Sequence, residues 1–116
     1  MLVYAVILFA VAALFGLYLI SKVFTGRLPA WAPVLLHGLF AASGLLILLY
    51  AAFIAGHAPG AVMLAAVLLL VAALGGFVLF SFQLRKQVPP KPLAAIHALA
   101  AVAGFLSLCG SVFGLI

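Results

Sequence analysis

Four apolar runs, each close to the length of a membrane-crossing helix, account for almost the whole chain. The first extends from Leu2 to about Ser21 and is broken by Lys22, Thr25, Gly26, Arg27 and Pro29. The second extends from about Trp31 to Ala55 and closes on Gly56-His57-Ala58-Pro59-Gly60, a tight turn rich in strong breakers. The third covers Ala61 to Phe82, ahead of Gln83, Arg85, Lys86, Gln87, Pro89, Pro90, Lys91 and Pro92, and the fourth runs from Leu93 to the C-terminal Ile116. A bilayer-crossing helix needs about 20 mostly apolar residues, because hydrocarbon offers no water to a backbone that does not bond to itself. With 116 residues, 72% of them hydrophobic, the chain holds four such helices joined by short loops. The expected fold is therefore all-α: an integral membrane four-helix bundle, with residues 1–116 forming a single transmembrane domain. Proline suits a helix entry, where its missing N–H has no partner to lose, so Pro29, Pro33 and Pro92 read as start signals. A cleaved leader carries its positive charge before the apolar stretch. Here Lys22 and Arg27 follow it, so the first run reads as a span.

The chain contains no Asp or Glu. Paired carboxylates for acid–base chemistry, carboxylate-driven proton antiport, Ser-His-Asp triads and oxygen cages for hard cations are all excluded. The five Lys and Arg residues lie in two loops: Lys22 and Arg27 in one, Arg85, Lys86 and Lys91 in the other. Cations placed beside helix ends read as topology signals and lipid-headgroup contacts rather than as a nucleic-acid surface. By the positive-inside rule both charged loops are expected in the cytoplasm, with the termini and the His57 turn outside. Tyr4, Tyr18, Tyr50 and Trp31 fall near the expected interfaces and read as aromatic-belt anchors. The single cysteine, Cys109, excludes an intrachain disulfide.

The two halves of the chain align without a gap at an offset of sixty positions, residues 1–56 on residues 61–116. Val11-Ala12-Ala13-Leu14 falls on Val71-Ala72-Ala73-Leu74, Gly16 on Gly76, Ser21 on Ser81 and Pro29 on Pro89. His37 falls on His97 and Gly44 on Gly104. About 17 of 56 positions are identical, a number inflated by an alphabet rich in Ala and Leu. The Gly, Ser, Pro and His matches in one register carry the argument. Each unit is a two-helix hairpin, so the copies share one orientation and are related by a pseudo-two-fold axis along the membrane normal. Residues at matching positions then lie at matching depths.

Ionisable residues within membrane helices are rare and usually face the bundle interior. His37 and His97 lie one to two turns inside their helices, roughly 8 Å at 1.5 Å per residue, at equal depth across the central axis. One object on that axis is within reach of both. A haem fits this pattern, since a b-type iron takes two neutral imidazoles and its ring is apolar. Gly44 and Gly104 follow the histidines by two helical turns on the same face, where a missing side chain leaves room for a macrocycle. Gly16 and Gly76 are expected to clear the opposite edge, and Arg27 and Lys91, with Arg85 and Lys86, to pair with propionates. His37 and His97 are thus the expected metal ligands. Two imidazoles leave a zinc or copper shell incomplete. The rival reading takes the histidines as cross-helix hydrogen-bonding groups in a non-redox scaffold or accessory subunit of a larger membrane complex. A small pore would need polar lining residues that are scarce here. His57 has no counterpart in the second copy and reads as a solvated loop residue.

The segments His37-Gly38-Leu39-Phe40-Ala41-Ala42-Ser43-Gly44 and His97-Ala98-Leu99-Ala100-Ala101-Val102-Ala103-Gly104 sit on the second helix of each copy. With the four-helix plan, the chain resembles the small membrane b-type cytochromes of the cytochrome b561 kind. The resemblance is architectural and extends loosely over the whole chain. It implies haem b, electron transfer with quinone, a small oxidant or another redox protein, and a bacterial inner membrane, with a homo-oligomer or larger complex as a further expectation. Those proteins usually carry four histidines and two haems, whereas this chain supplies one matched pair.

Overall fold

A computed structural model describes residues 1–56 and 59–116. His57 and Ala58 lie outside the described residues, and with them the loop reading of His57. The chain forms α1 (Leu2–Phe24), α2 (Trp31–Leu49, running on through a π-helical stretch, Tyr50–Ile54), α3 (Gly60–Leu84) and α4 (Lys91–Val112). All four are long and apolar enough to cross a membrane. The sequence boundaries hold to within about three residues, except that α4 ends at Val112, short of the expected end at Ile116. α1 and α3 run past the serines at 21 and 81, whose hydroxyls donate back to the carbonyls of Tyr18 and Val78 instead of ending the helix.

The two hairpins are built alike to the residue. α1 and α3 end at Phe24 and Leu84, and α2 and α4 begin at Trp31 and Lys91, each pair sixty positions apart. In the first turn the Arg27 N–H donates to the Lys22 carbonyl at 2.9 Å and the Gly26 N–H to the Val23 carbonyl at 3.1 Å. The second turn repeats this, with Gln87 to Phe82 at 2.9 Å and Lys86 to Gln83 at 3.1 Å. This pair of bonds is the Schellman closure, which needs a left-handed residue just past the helix. Gly26 supplies it at φ 72°, and Lys86 adopts it at φ 55°.

α1 packs on α2 and α4, and α3 packs on α4 and α2, so α2 and α4 stand diagonally across a bundle 41 Å long and about 20 Å wide. Both charged turns lie at one end. Large apolar side chains such as Leu14, Leu46, Leu74 and Leu99 point outward, as expected where the surrounding solvent is hydrocarbon. The buried apolar core is concentrated at the other end, nearer the termini: Ala5, Val6 and Phe9 on α1, Leu48 and Ala52 after the middle of α2, Val62, Ala65, Ala66 and Leu69 on α3, and Leu108 on α4. Alanine and other small residues bring the helices close there, which is how membrane helices gain packing contacts. The bundle is thus tightly packed in the half that holds the termini, and loose in the half that holds the turns.

Candidate functional site

In that turn-side half lies a cavity of about 760 Å³. Its floor is formed by Phe9 and Leu69, at the edge of the packed core, and its mouth by Val23, Pro29, Gln83 and Pro89 beside the turns. Of its 32 lining residues, 30 form 15 pairs related by the sixty-residue offset, so the cavity carries the two-fold symmetry of the chain. The walls are almost wholly aliphatic and aromatic, and the two histidines are their only ionisable members.

His37 and His97 are both half-buried, with ring centroids 6.3 Å apart and ring planes inclined at 74°. The sequence expectation that repeat symmetry brings them together across the axis is therefore met in the geometry. Each ring is fixed by its own hairpin. His37 Nδ1 lies 2.7 Å from the Ala12 carbonyl oxygen on α1, and His97 Nδ1 lies 2.7 Å from the Ala72 carbonyl oxygen on α3. A carbonyl can only accept, so each Nδ1 is the donor, and in the neutral ring the lone pair is on Nε2. A backbone carbonyl bonded to the second ring nitrogen is the usual outer-shell support of a metal-ligating histidine.

The glycines divide differently from the sequence expectation. A Cβ at Gly16 would stand 3.1 Å from His37 Cε1, and one at Gly76 would stand 3.3 Å from His97 Cε1. These two glycines make room for the imidazoles themselves. They also leave uncovered the carbonyl one turn earlier, at Ala12 and Ala72, that each ring uses. Gly44 and Gly104 do not line the cavity. Their missing side chains admit Phe9, whose ring would lie 3.3 Å from a Cβ at 44, and Leu69, whose Cγ would lie 2.7 Å from a Cβ at 104. The clearance assigned to Gly44 and Gly104 for a macrocycle is thus used for helix packing below the cavity. Facing the same way as a histidine was not enough: the cavity reaches Leu45 and Phe105, one residue further on, but Phe9 and Leu69 occupy the space beside the two glycines.

Arg27 and Lys91 are exposed and lie outside the lining, each two residues along the chain from a proline of the mouth, Pro29 or Pro89. Arg85 bonds back to the Ser81 carbonyl and sits over the Phe82 ring at 4.5 Å, and Lys22 sits over the Tyr18 ring. Among the described residues, no group of three or more His, Cys, Asp and Glu side chains is placed to hold a bare metal ion.

Sequence reasoning passed over Gln83, reading it as the first polar residue of a loop. It is the one buried polar side chain among the described residues, 5% exposed, and its Nε2–H donates to the Pro29 carbonyl at 3.0 Å. The repeat alignment carried the signal: Gln83 stands where the first copy has the equally buried Val23. Its amide ties the second hairpin to the turn of the first and makes one side of the mouth polar. The chain matches no known family model, no curated protein and no solved structure.

Proposed function

We propose that the chain is a membrane b-type cytochrome, holding one haem between α2 and α4 through His37 and His97. The observation that carries this reading is the pair of imidazoles 6.3 Å apart in one apolar cavity, each with Nδ1 committed to a backbone carbonyl and Nε2 left basic. Two imidazoles this close, and no other ionisable group in the lining, are the donor set that a b-type haem would take. The cavity volume of 760 Å³ lies within the roughly 300–1,000 Å³ typical of sites that enclose an organic ligand.

When bound, haem supplies a one-electron couple between ferric and ferrous iron. The rest is work of this chain. Ala12 and Ala72 hold the tautomer and tilt of the two rings, and Gly16 and Gly76 let them seat. The aliphatic walls exclude water, and Arg27 and Lys91 bring positive charge to the mouth, where carboxylate side arms of a ligand would pair with it. With His37 and His97 both holding the metal, there would be no place on it for a substrate. The reading is therefore electron transfer, with quinone or another redox protein as partner. By the positive-inside rule the mouth would face the cytoplasm and the termini the outside, and the resemblance to small b-type cytochromes implies a bacterial inner membrane.

A second reading has an observation of its own. The Nδ1 contacts to Ala12 and Ala72 are complete cross-helix hydrogen bonds, and a non-redox scaffold or accessory subunit would need nothing more of the histidines. One experiment separates the two. Protein purified in mild detergent after expression with ample haem is expected to be red, with a sharp Soret band and split α and β bands on reduction. His37→Ala and His97→Ala are each expected to abolish that low-spin spectrum. Colour that survives both substitutions, or never develops, ends the cytochrome reading and leaves the scaffold.

A further inference from the structure

We infer that the cavity holds its ligand in one of two otherwise equivalent orientations, selected by the positions where the two repeats differ. The inference rests on the cytochrome reading and concerns which edge of an asymmetric planar ligand faces which repeat. A line joining two points related by a two-fold axis crosses that axis at right angles. A planar group ligated by His37 on one side and His97 on the other therefore lies in a plane that contains the axis. Haem b has an approximate two-fold of its own, running in the ring plane between its two propionates. Turning it by 180° about that line keeps the propionates at the same end and exchanges the methyl and vinyl substituents between the two sides. With the propionates at the mouth, the line coincides with the axis of the protein. In a cavity of perfect two-fold symmetry the two orientations have equal energy, because rotating the whole complex turns one into the other.

Any preference must therefore come from unmatched pairs in the lining. Along the walls the aromatic member is always in the second copy: the half-buried Phe80 and Phe105 stand where the first has Ile20 and Leu45, and at the outer rim the largely exposed Phe77 stands where it has Leu17. Only at the floor is the order reversed, with Phe9 against Leu69. The side of the cavity formed by α3 and α4 is thus bulkier and flatter than the side formed by α1 and α2. A single methylene in a fitted apolar site discriminates by roughly 10–200-fold. Three Leu or Ile to Phe differences are ample for a preference of about tenfold or more.

The test is a one-dimensional proton NMR spectrum of the ferric protein in detergent, where haem methyl protons are shifted outside the protein envelope and each orientation gives its own set. One dominant set at equilibrium is expected, with the minor set at about a tenth or less. Phe80→Ile and Phe105→Leu, each of which restores the residue of the first copy, are expected to raise the minor set several-fold while leaving the optical spectrum low-spin. Two sets of equal intensity in the unsubstituted protein, or a ratio that neither variant moves, overturns the inference while the cytochrome reading stands. A protein with no haem spectrum overturns both, and the optical measurement tells the cases apart.

Discussion

His37 reaches the backbone carbonyl of Ala12 at a point on α1 where the overlying residue, Gly16, has no side chain to cover it. His97, Ala72 and Gly76 repeat the arrangement on α3 and α4. A helix carbonyl normally lies sheltered beneath the residue four positions on, so a ring nitrogen gains access only where that residue is small. Gly16→Ala places a methyl group 3.1 Å from His37 Cε1, closer than the ring can accept without tilting away from Ala12. The expected loss is about 1–3 kcal/mol, from overpacking together with a weakened hydrogen bond. Gly76→Ala meets its ring at 3.3 Å and is expected to be milder. Thermal unfolding in detergent measures both, and a melting temperature that rises in both variants contradicts the account.

Gly44 and Gly104 predict a different pattern. Alanine at 104 would meet Leu69 Cγ at 2.7 Å, at the branch point of a buried side chain, whereas alanine at 44 would meet only the Phe9 ring at 3.3 Å. Gly104→Ala is expected to destabilise by about 1–3 kcal/mol. Gly44→Ala stays within about 1 kcal/mol, since replacing a helical glycine also gains helix propensity. Leu69→Ala in the Gly104→Ala background should recover part of the loss. Were Gly44→Ala to abolish a haem spectrum while leaving the melting temperature unchanged, the assignment of these glycines to packing would fail.

Lys86 holds a conformation suited to glycine. Its φ of 55° matches the 72° of Gly26 at the same place in the first turn, and a left-handed residue with a Cβ costs about 1–2 kcal/mol. Lys86→Gly is expected to stabilise the folded protein by about 0.5–1 kcal/mol, less than the full strain because glycine also loosens the unfolded chain. Gly26→Lys should destabilise by a similar amount. Equilibrium unfolding of the pair checks the sign of each.

Gln83 joins the two hairpins at the mouth through its bond to the Pro29 carbonyl. Gln83→Val, which installs the residue of the first copy, strands that carbonyl in a buried position. A loss of about 1–3 kcal/mol is expected, together with faster protease cleavage of the turn between α1 and α2. A variant as stable and as resistant as the parent would show that the tether contributes nothing.

The spans, the paired hairpins and the common depth of the two histidines were legible because each depends on local sequence: apolar length, breakers and a repeat in fixed register. The helix ends were nearly legible, since the Schellman turn at Gly26 is announced by glycine, but its twin at Lys86 is not. What escaped reading depends on which neighbour fills a space. Gly44 and Gly104 lie on the histidine face, yet Phe9 and Leu69 occupy the room beside them. Gln83 looked like a loop residue because it precedes two cations, and only the three-dimensional course of the first turn brings the Pro29 carbonyl over it. The cavity itself is a property of how small and large residues are distributed along four helices, which no single helix reveals.

The division between a close-packed terminal half and a hollow turn half has a consequence for assembly. The helices are clamped at one end by side chains that belong to the chain alone, so the socket at the other end stands ready before any guest arrives. Loading is then a docking event into standing walls, with little loss of chain freedom. On the reading proposed above, the polypeptide would be inserted first and take up its haem later.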